Sequence, residues 1–282
     1  MTISSYSKEA ATSARGAARE AAPWIEGLAR VGYAAKGVVY LVIGLLAAKA
    51  AFGSGGRTTD QHGAIRSILV QPFGRIMLGI VAAGLIGYAL WRFVSAATDA
   101  ERNGGDLKGI ALRIGDAWRG LVYGALGVEA MRLLTGSATK AGGSTPDHWT
   151  ARVMQVPMGR WIVGLAGAGI VIYAIYQLYV AVVGDVRKHL DLSSLDAHSS
   201  TVAVGLGRFG VGARALIFGV VGWFFIRAAR RYDPREASDI SDALRIMEES
   251  SGVALLGGVA IGLMAYGLFQ LVKARYRRIS VA

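Results

Sequence analysis

Residues 30–49 read RVGYAAKGVVYLVIGLLAAK, an apolar run of 20 residues with a cation at its start, at its seventh position and at its end. About 20 such residues are enough for one α-helix to cross the ~30 Å hydrocarbon layer of a bilayer. Six stretches of the chain have this character and are predicted to span a membrane: about 34–53, 74–97, 117–135, 157–183, 211–229 and 252–272. The chain is therefore predicted to be an all-α membrane protein with six transmembrane helices.

The pattern of residues 30–49 recurs twice further along the chain. Counted from the leading arginine, the shared offsets are +2, +6, +7, +10, +14 and +19, and each holds the same class of side chain in every copy. The three sets are Arg30, Gly32, Lys36, Gly37, Tyr40, Gly44 and Lys49; Arg113, Gly115, Arg119, Gly120, Tyr123, Gly127 and Arg132; and Arg208, Gly210, Arg214, Ala215, Phe218, Gly222 and Arg227. Agreement at so many fixed offsets indicates an internal repeat.

The second, fourth and sixth spans repeat as well. The sixth span keeps the glycines and the tyrosine but lacks the proline and the arginine, so the third copy is the divergent one. The sets are Pro72, Gly74, Arg75, Gly79, Gly84 and Tyr88; Pro157, Gly159, Arg160, Gly164, Gly169 and Tyr173; and Gly252, Gly257, Gly262 and Tyr266. Each repeat thus holds two spans and starts on the same side of the membrane. Three parallel two-helix repeats predict a pseudo-threefold arrangement about the membrane normal.

This pattern resembles the bacterial membrane family catalogued as domain of unknown function 1206. The resemblance rests on the Arg-x-Gly…(Lys/Arg)-Gly-x-x-Tyr opening and the Pro-x-Gly-Arg…Gly…Gly…Tyr-Ala second half, and it covers about residues 28–275. It implies a six-span bacterial membrane protein. By its name the family has no assigned function, so it supplies no catalytic residues.

The repeats divide the chain into predicted segments. These are a polar N-terminal segment 1–27, repeat 1 at 28–97, a cytoplasmic linker 98–110, repeat 2 at 111–188, a cytoplasmic linker 189–205, repeat 3 at 206–275 and a basic tail 276–282. Charges are scattered through residues 1–22, so no cleavable signal peptide is predicted and the first span is expected to direct insertion. With the N-terminus inside, 18 of the 31 Lys and Arg residues lie on the inner side, which favours cytoplasmic N- and C-termini in a bacterial plasma membrane.

The composition excludes several kinds of site. The 282 residues are 53% apolar and only 18% charged, and there is no cysteine, so disulfides, thiolate zinc sites and iron–sulfur clusters are excluded. The histidines lie outside the apolar runs, and no phosphate loop, zinc-protease motif or nucleophile elbow occurs. No enzyme activity and no cofactor are predicted. The net charge of +12 is attributed to contact with anionic lipid rather than nucleic acid.

The outer connections are predicted to carry three short interfacial helices, one before each even-numbered span. Asp60, Asp147 and either Asp239 or Ser241 are the predicted N-caps of these helices. Pro72 and Pro157 then lie where the chain turns into its next helix, a position at which proline is tolerated.

The cations at offsets +6 and +19 are 13 residues apart, about 20 Å of helix, so both enter the hydrocarbon layer unless their side chains reach out. Snorkelling to the interfaces is the simplest interpretation. Alternatively, the +6 cations face the central axis and bind anions or exclude cations, or they pair with acidic groups of neighbouring repeats. The candidate anion or lipid contacts are Lys36, Arg119, Arg214, Arg30, Arg113 and Arg208.

Glu129 is the one acidic residue expected well inside a span, and its repeat equivalents are apolar. It is predicted to pair with Arg132, one turn away. The repeated glycines let transmembrane backbones approach closely, so they are predicted to pack helices. These are Gly37, Gly44, Gly120, Gly127, Gly222, Gly79, Gly164 and Gly257.

The pattern favours a compact structural or interaction module of the membrane, with anionic lipids and either a membrane protein or a second copy of the chain as partners. The alternative is a small channel or transporter with an anion-favouring central path lined by Lys36, Arg119 and Arg214.

Overall fold

The fold was analysed in a computed structural model that describes residues 3–53, 58–98, 106–137, 146–184, 190–191 and 196–277. All regular secondary structure in these ranges is helical, which confirms the predicted all-α class. The helices are α1 (Ile3–Ala51), α2 (Gln61–Leu69), α3 (Gly74–Thr98), α4 (Leu107–Leu134), α5 (Pro146–Met154), α6 (Gly159–Val182), α7 (Ala197–Arg231) and α8 (Ile240–Tyr276), with a short 3-10 turn at Pro234–Glu236.

Five helical segments within the described ranges are long and apolar enough to cross a membrane: Glu26–Ala51, Gly74–Ala97, Gly159–Val182, Ala197–Arg231 and Val253–Tyr276. They indicate a multi-pass membrane protein. The predicted third span falls in α4, which is absent from this set because its 28 residues include six charges. These charges are Lys108, Arg113, Asp116, Arg119, Glu129 and Arg132.

Aspartates begin several of the helices. The Asp60 side chain accepts a hydrogen bond from the Gly63 amide, as predicted for the cap of α2. Asp239 forms a capping box with Asp242 at the start of α8, so the cap is Asp239 and not Ser241. The predicted cap Asp147 is wrong, because α5 already begins at Pro146 and Asp147 lies in its first turn.

The prolines separate the short helices from the long ones. After Pro72 and Pro157 the next residue, Phe73 or Met158, takes a left-handed backbone conformation, and α3 or α6 starts directly afterwards. Repeat 3 has no such proline. The predicted third short helix is therefore wrong as a separate element, because α8 runs unbroken from Ile240 to Tyr276.

Contacts between repeats follow one rule. The second long helix of each repeat packs on the first long helix of the next, as α3 on α4, α6 on α7 and α8 on α1. Within repeats 1 and 3, α1 also packs on α3 and α7 on α8. In repeat 2 the described parts of α4 and α6 make no comparable contact. The core accordingly lies around α1, α3 and α8, whereas α6 exposes most of its large apolar side chains.

Candidate functional site: a buried cluster of cations and tyrosines

Lys36 lies at the centre of the helix bundle. Its residue is only 5% exposed. The Nζ atom is 4.7 Å from the ring centroid of Tyr123, 5.3 Å from that of Tyr88 and 5.6 Å from that of Tyr266. These rings come from all three repeats. Among the described residues, no carboxylate or carbonyl accepts a hydrogen bond from this ammonium, so cation–π attraction is its main compensation.

Arg214 occupies the same offset in repeat 3 and faces the same centre. Its guanidinium carbon is 4.5 Å from the Phe218 ring and 5.2 Å from the Tyr266 ring. Nε donates to the Tyr40 hydroxyl at 3.2 Å, and Nη1 donates to the Tyr173 hydroxyl at 3.4 Å. We call Lys36, Arg119 and Arg214, with the rings of Tyr40, Tyr88, Tyr123, Tyr173 and Tyr266, the central cluster.

Arg119 completes the predicted set of +6 cations. Its guanidinium carbon is 5.9 Å from the Tyr173 ring. Nη1 also donates to Asp116 Oδ1 at 2.6 Å, one helical turn earlier. Arg119 thus joins the central cluster to an ion pair that sequence reasoning missed.

Asp116 is the buried acid of this region, with 1% of its surface exposed. Arg92 Nη1 donates to its Oδ1 at 2.9 Å, and the same guanidinium donates to the hydroxyls of Tyr88 and Tyr33, both at 2.9 Å. Glu129 is therefore not the one acidic residue of α4, which also contains the buried Asp116. Asp116 precedes the apolar run from which the third span was predicted, but α4 starts nine residues earlier, at Leu107.

Two cations of the central cluster have no acidic partner. Within the described chain Asp116 pairs with Arg92 and Arg119, whereas no carboxylate contacts Lys36 or Arg214. An uncompensated charge is costly in a low-dielectric interior, and each cation at a bilayer centre costs roughly 2.5–3.5 kcal/mol on insertion scales. The arrangement therefore has an electrostatic preference for an anion.

Polar side chains link the cluster to both ends of the bundle. The Gln61 amide at the start of α2 donates to the Tyr40 hydroxyl at 3.3 Å, and successive contacts continue from there. In order, the chain is Gln61, Tyr40, Arg214, Tyr173, Arg119, Asp116 and Arg92. No single repeat contains this chain, which passes from repeat 1 to repeat 3, then to repeat 2 and back to repeat 1.

The leading arginines have other contacts. Arg30 donates to the backbone carbonyls of Ala274 and Arg275 at the end of α8. Arg113 donates to the carbonyls of Ala96 and Ala97 at the end of α3, at 2.7 and 3.1 Å. Both arginines satisfy carbonyls that the helix leaves unpaired. Arg208 is exposed and has no partner among the described residues.

The candidate packing glycines on the first long helix of each repeat, α1, α4 and α7, lie at the contacts between repeats. A Cβ atom on Gly37 or Gly44 would be 2.9 or 2.8 Å from a backbone carbonyl of α8, and one on Gly222 would be 3.0 Å from a carbonyl of α6. A Cβ on Gly120 or Gly127 would likewise meet α3 closely. The candidate packing glycines on the second long helix of each repeat, α3, α6 and α8, have more room. Cβ atoms at Gly79, Gly164 and Gly257 would meet neighbours at 3.4–3.8 Å, an ordinary contact distance.

Glu129 pairs with α2 rather than within its own helix. His62 Nδ1 contacts Glu129 Oε2, and Arg66 lies 3.7 Å from the other oxygen, so the predicted pair with Arg132 is wrong. The hydrogen bond to the Glu129 carboxylate raises the pKa of His62 above its usual value of 6.5, and partial burial opposes this rise. No described group of three or more His, Asp or Glu side chains has an arrangement that could hold a metal ion.

Comparison with known proteins gives a family. The profile of "Domain of Unknown Function (DUF1206)" matches three segments, 31–99, 114–184 and 209–277. The chain is 34% identical over 263 residues to "Uncharacterized protein YxxB" of Bacillus subtilis (strain 168), covering 93% of this chain and 94% of that protein. No solved structure matches the chain significantly.

Proposed function

The chain belongs to the DUF1206 family, which has three copies of its unit here, and on that premise we propose that it is a six-span plasma-membrane protein whose centre binds an anion. In this proposal α4 also crosses the membrane, which brings the number of spans to six, and both termini are cytoplasmic. The three repeats surround a pseudo-threefold axis at the central cluster. The role is binding without catalysis.

The single observation that carries this proposal is the environment of Lys36. Only 5% of the Lys36 residue is exposed, and its ammonium faces three tyrosine rings from three repeats, with no carboxylate beside it in the described chain. Cation–π attraction contributes up to about 2 kcal/mol for a desolvated ammonium, which offsets only part of the cost of burial. A bound anion would supply the rest.

The hydrogen-bond donors favour an oxyanion such as a phosphate group. Arg214 has five N–H donors, of which two are directed at the hydroxyls of Tyr40 and Tyr173. Guanidinium and ammonium groups form their strongest hydrogen bonds with phosphate and carboxylate oxygens. The tyrosine hydroxyls can add further donors once an anion lies among them.

Anion transport is the second candidate, and the chain of polar contacts from Gln61 to Arg92 favours it. The packed tyrosine rings argue for binding instead. Tyr40 and Tyr266 meet edge to face with centroids 4.8 Å apart, and Tyr88 and Tyr123 do so at 5.0 Å. Anion flux into liposomes separates the candidates. Neutralising Lys36, Arg119 and Arg214 together abolishes flux in a transporter, whereas equal flux removes the transport hypothesis.

Binding itself is tested by thermal shift of the detergent-purified protein with inorganic phosphate and glycerol phosphate as probes. We expect each probe to raise the melting temperature in a saturable way. Lys36→Met should weaken the affinity for the probe about tenfold or more, equivalent to about 1.4 kcal/mol. Lys49→Met is the matched control, because Lys49 is an exposed lysine of the same helix. Equal shifts in wild type and Lys36→Met, or none in either, would contradict the proposal.

A further inference from the structure

The hairpins of repeats 1 and 3 are closed by small residues at the same offsets. In repeat 1, a Cβ on Gly32 would lie 2.5 Å from Tyr88 Cβ, and one on Gly84 would lie 2.6 Å from Ala35 Cβ. In repeat 3 the space is as tight: a Cβ on Gly210 would lie 2.5 Å from Tyr266 Cα, and one on Gly262 would lie 2.2 Å from Ala213 Cβ. Each pair of helices packs backbone to backbone there.

Repeat 2 has the same glycines without the contacts. A Cβ on Gly115 or on Gly169 would have nothing within 4 Å. The residue that corresponds to Ala35 and Ala213 is Trp118, five positions after the leading arginine. Trp118 is 64% exposed. In repeats 1 and 3 the alanine methyl lies so close to the glycine that a Cβ on the glycine would be only 2.2–2.6 Å from it. An indole is too large for that space, which accounts for the separation of α4 and α6.

The helices on either side of this gap, α4 and α6, carry both exposed apolar side chains and members of the central cluster. Exposed apolar side chains lie on both of its helices, among them Ile114 and Leu121 on α4 and Ile172 on α6. Arg119, next to Trp118 in the chain, has a side chain that is 32% exposed, and its guanidinium reaches the Tyr173 ring of α6. Arg119 therefore lies on the same helix as a rim of exposed apolar side chains, Ile114, Trp118 and Leu121.

We propose that this gap, the α4–α6 opening, is a lateral binding site for an anionic phospholipid. The headgroup phosphate lies at Arg119 and Lys36, and the acyl chains lie along the exposed faces of α4 and α6. We infer the occupant from charge complementarity together with the apolar rim, since a phospholipid contacts both the cations and the rim, whereas a free anion contacts only the cations. This inference rests on the proposed function and names the ligand of the same cluster.

Gly169→Leu tests the inference, because the new side chain enters the α4–α6 opening and meets no atom of the fold within 4 Å at its Cβ. Gly258→Leu is the matched control, since Gly258 is also exposed in a long helix with nothing within 4 Å. Native mass spectrometry in detergent counts bound phosphatidylglycerol. We expect occupancy in Gly169→Leu to fall about tenfold, while Gly258→Leu keeps the wild-type value. Wild-type occupancy in Gly169→Leu would overturn the inference.

A second variant blocks the opening after folding. The chain has no cysteine, so Gly169→Cys can be alkylated at one position in the folded protein. Alkylation should release phosphatidylglycerol from Gly169→Cys and leave Gly258→Cys unchanged. Retention of lipid by the alkylated Gly169→Cys would overturn the inference.

Glycerol phosphate binding separates the two proposals. If alkylated Gly169→Cys still binds glycerol phosphate while Lys36→Met does not, the cluster and the opening both have their assigned roles. If phosphatidylglycerol binds neither wild type nor variants but glycerol phosphate binds wild type, the lipid inference fails and the anion proposal stands. If neither probe binds wild type, the proposed function itself fails.

Discussion

The hairpins of repeats 1 and 2 use the same glycines and reach different structures. In repeat 1, α1 and α3 meet at Gly32 and Gly84, whereas in repeat 2 the equivalent Gly115 and Gly169 face open space. Where repeat 1 has Ala35, repeat 2 has Trp118, a side chain too large for the same close approach. A repeated glycine motif therefore allows two helices to pack, but the residues opposite the glycines must be small as well.

Helix α4, which does not pack on α6, is held by contacts to repeat 1. On the α3 side, Asp116 pairs with Arg92, and Arg113 caps the end of α3. At the other end, Arg75 of α3 donates to the Leu134 carbonyl of α4 at 3.1 Å, and α2 reaches Glu129. The first helix of repeat 2 is thus anchored to repeat 1 rather than to its own hairpin partner.

Removing the buried carboxylate should have the largest effect on this anchoring. In Asp116→Asn, Arg92 and Arg119 lose their common ion-pair partner, and breaking a buried pair costs about 3–5 kcal/mol. Unfolding in mixed micelles should therefore occur at a much lower denaturant concentration. Arg245→Gln, which breaks exposed pairs with Asp242 and Glu249, is the control and should be nearly neutral. Equal, small effects of both changes would show that α4 is held by other contacts.

A leucine at the first glycine of each hairpin tests the comparison directly. Gly32→Leu forces a side chain into Tyr88. Such overpacking destabilises a fold by about 1–3 kcal/mol or more. Gly115→Leu has nothing to displace and gains up to about 1 kcal/mol in helix propensity. Melting temperatures of the two variants should move in opposite directions. A similar loss in both would mean that the repeat 2 hairpin is closed as well.

The contact between α2 and α4 should give a smaller, pH-dependent effect. The pKa of His62 is raised in the folded protein, so its pair with Glu129 stabilises fully below pH 6.5 and is lost as pH rises through the higher folded pKa. Because His62 is half-exposed, we expect less than about 1 kcal/mol. The melting temperature of wild type should exceed that of His62→Gln at pH 6 and converge with it at pH 9. A constant difference in melting temperature across this range would show that the pair between His62 and Glu129 does not stabilise the fold.

Repetition in the sequence predicted the helices, the approach of Gly37, Gly44 and Gly222 to neighbouring backbones, and the shared offset of Lys36, Arg119 and Arg214. These features follow from spacing alone, since helix length and face are set by residue number. The convergence of Lys36 and Arg214 on tyrosines of other repeats could not be derived, because spacing within one repeat does not say which repeat is its neighbour.

The errors lie where the copies differ. Asp116 corresponds to Tyr33 and Val211, so comparing shared positions gave it no weight. Glu129 has its partner in α2, far along the chain, and a search within one helix could not find it. The continuous α8 follows from the lack of a proline in repeat 3, a difference that the sequence shows but that similarity to repeats 1 and 2 obscured.

The most direct test of the account is a structure of the protein with selenate, an oxyanion that anomalous scattering locates. We expect selenium within ~4 Å of Lys36 Nζ and the Arg214 guanidinium, among the tyrosine hydroxyls of the central cluster. Selenate found only at exposed arginines, with Lys36 still facing its tyrosine rings alone, would contradict it.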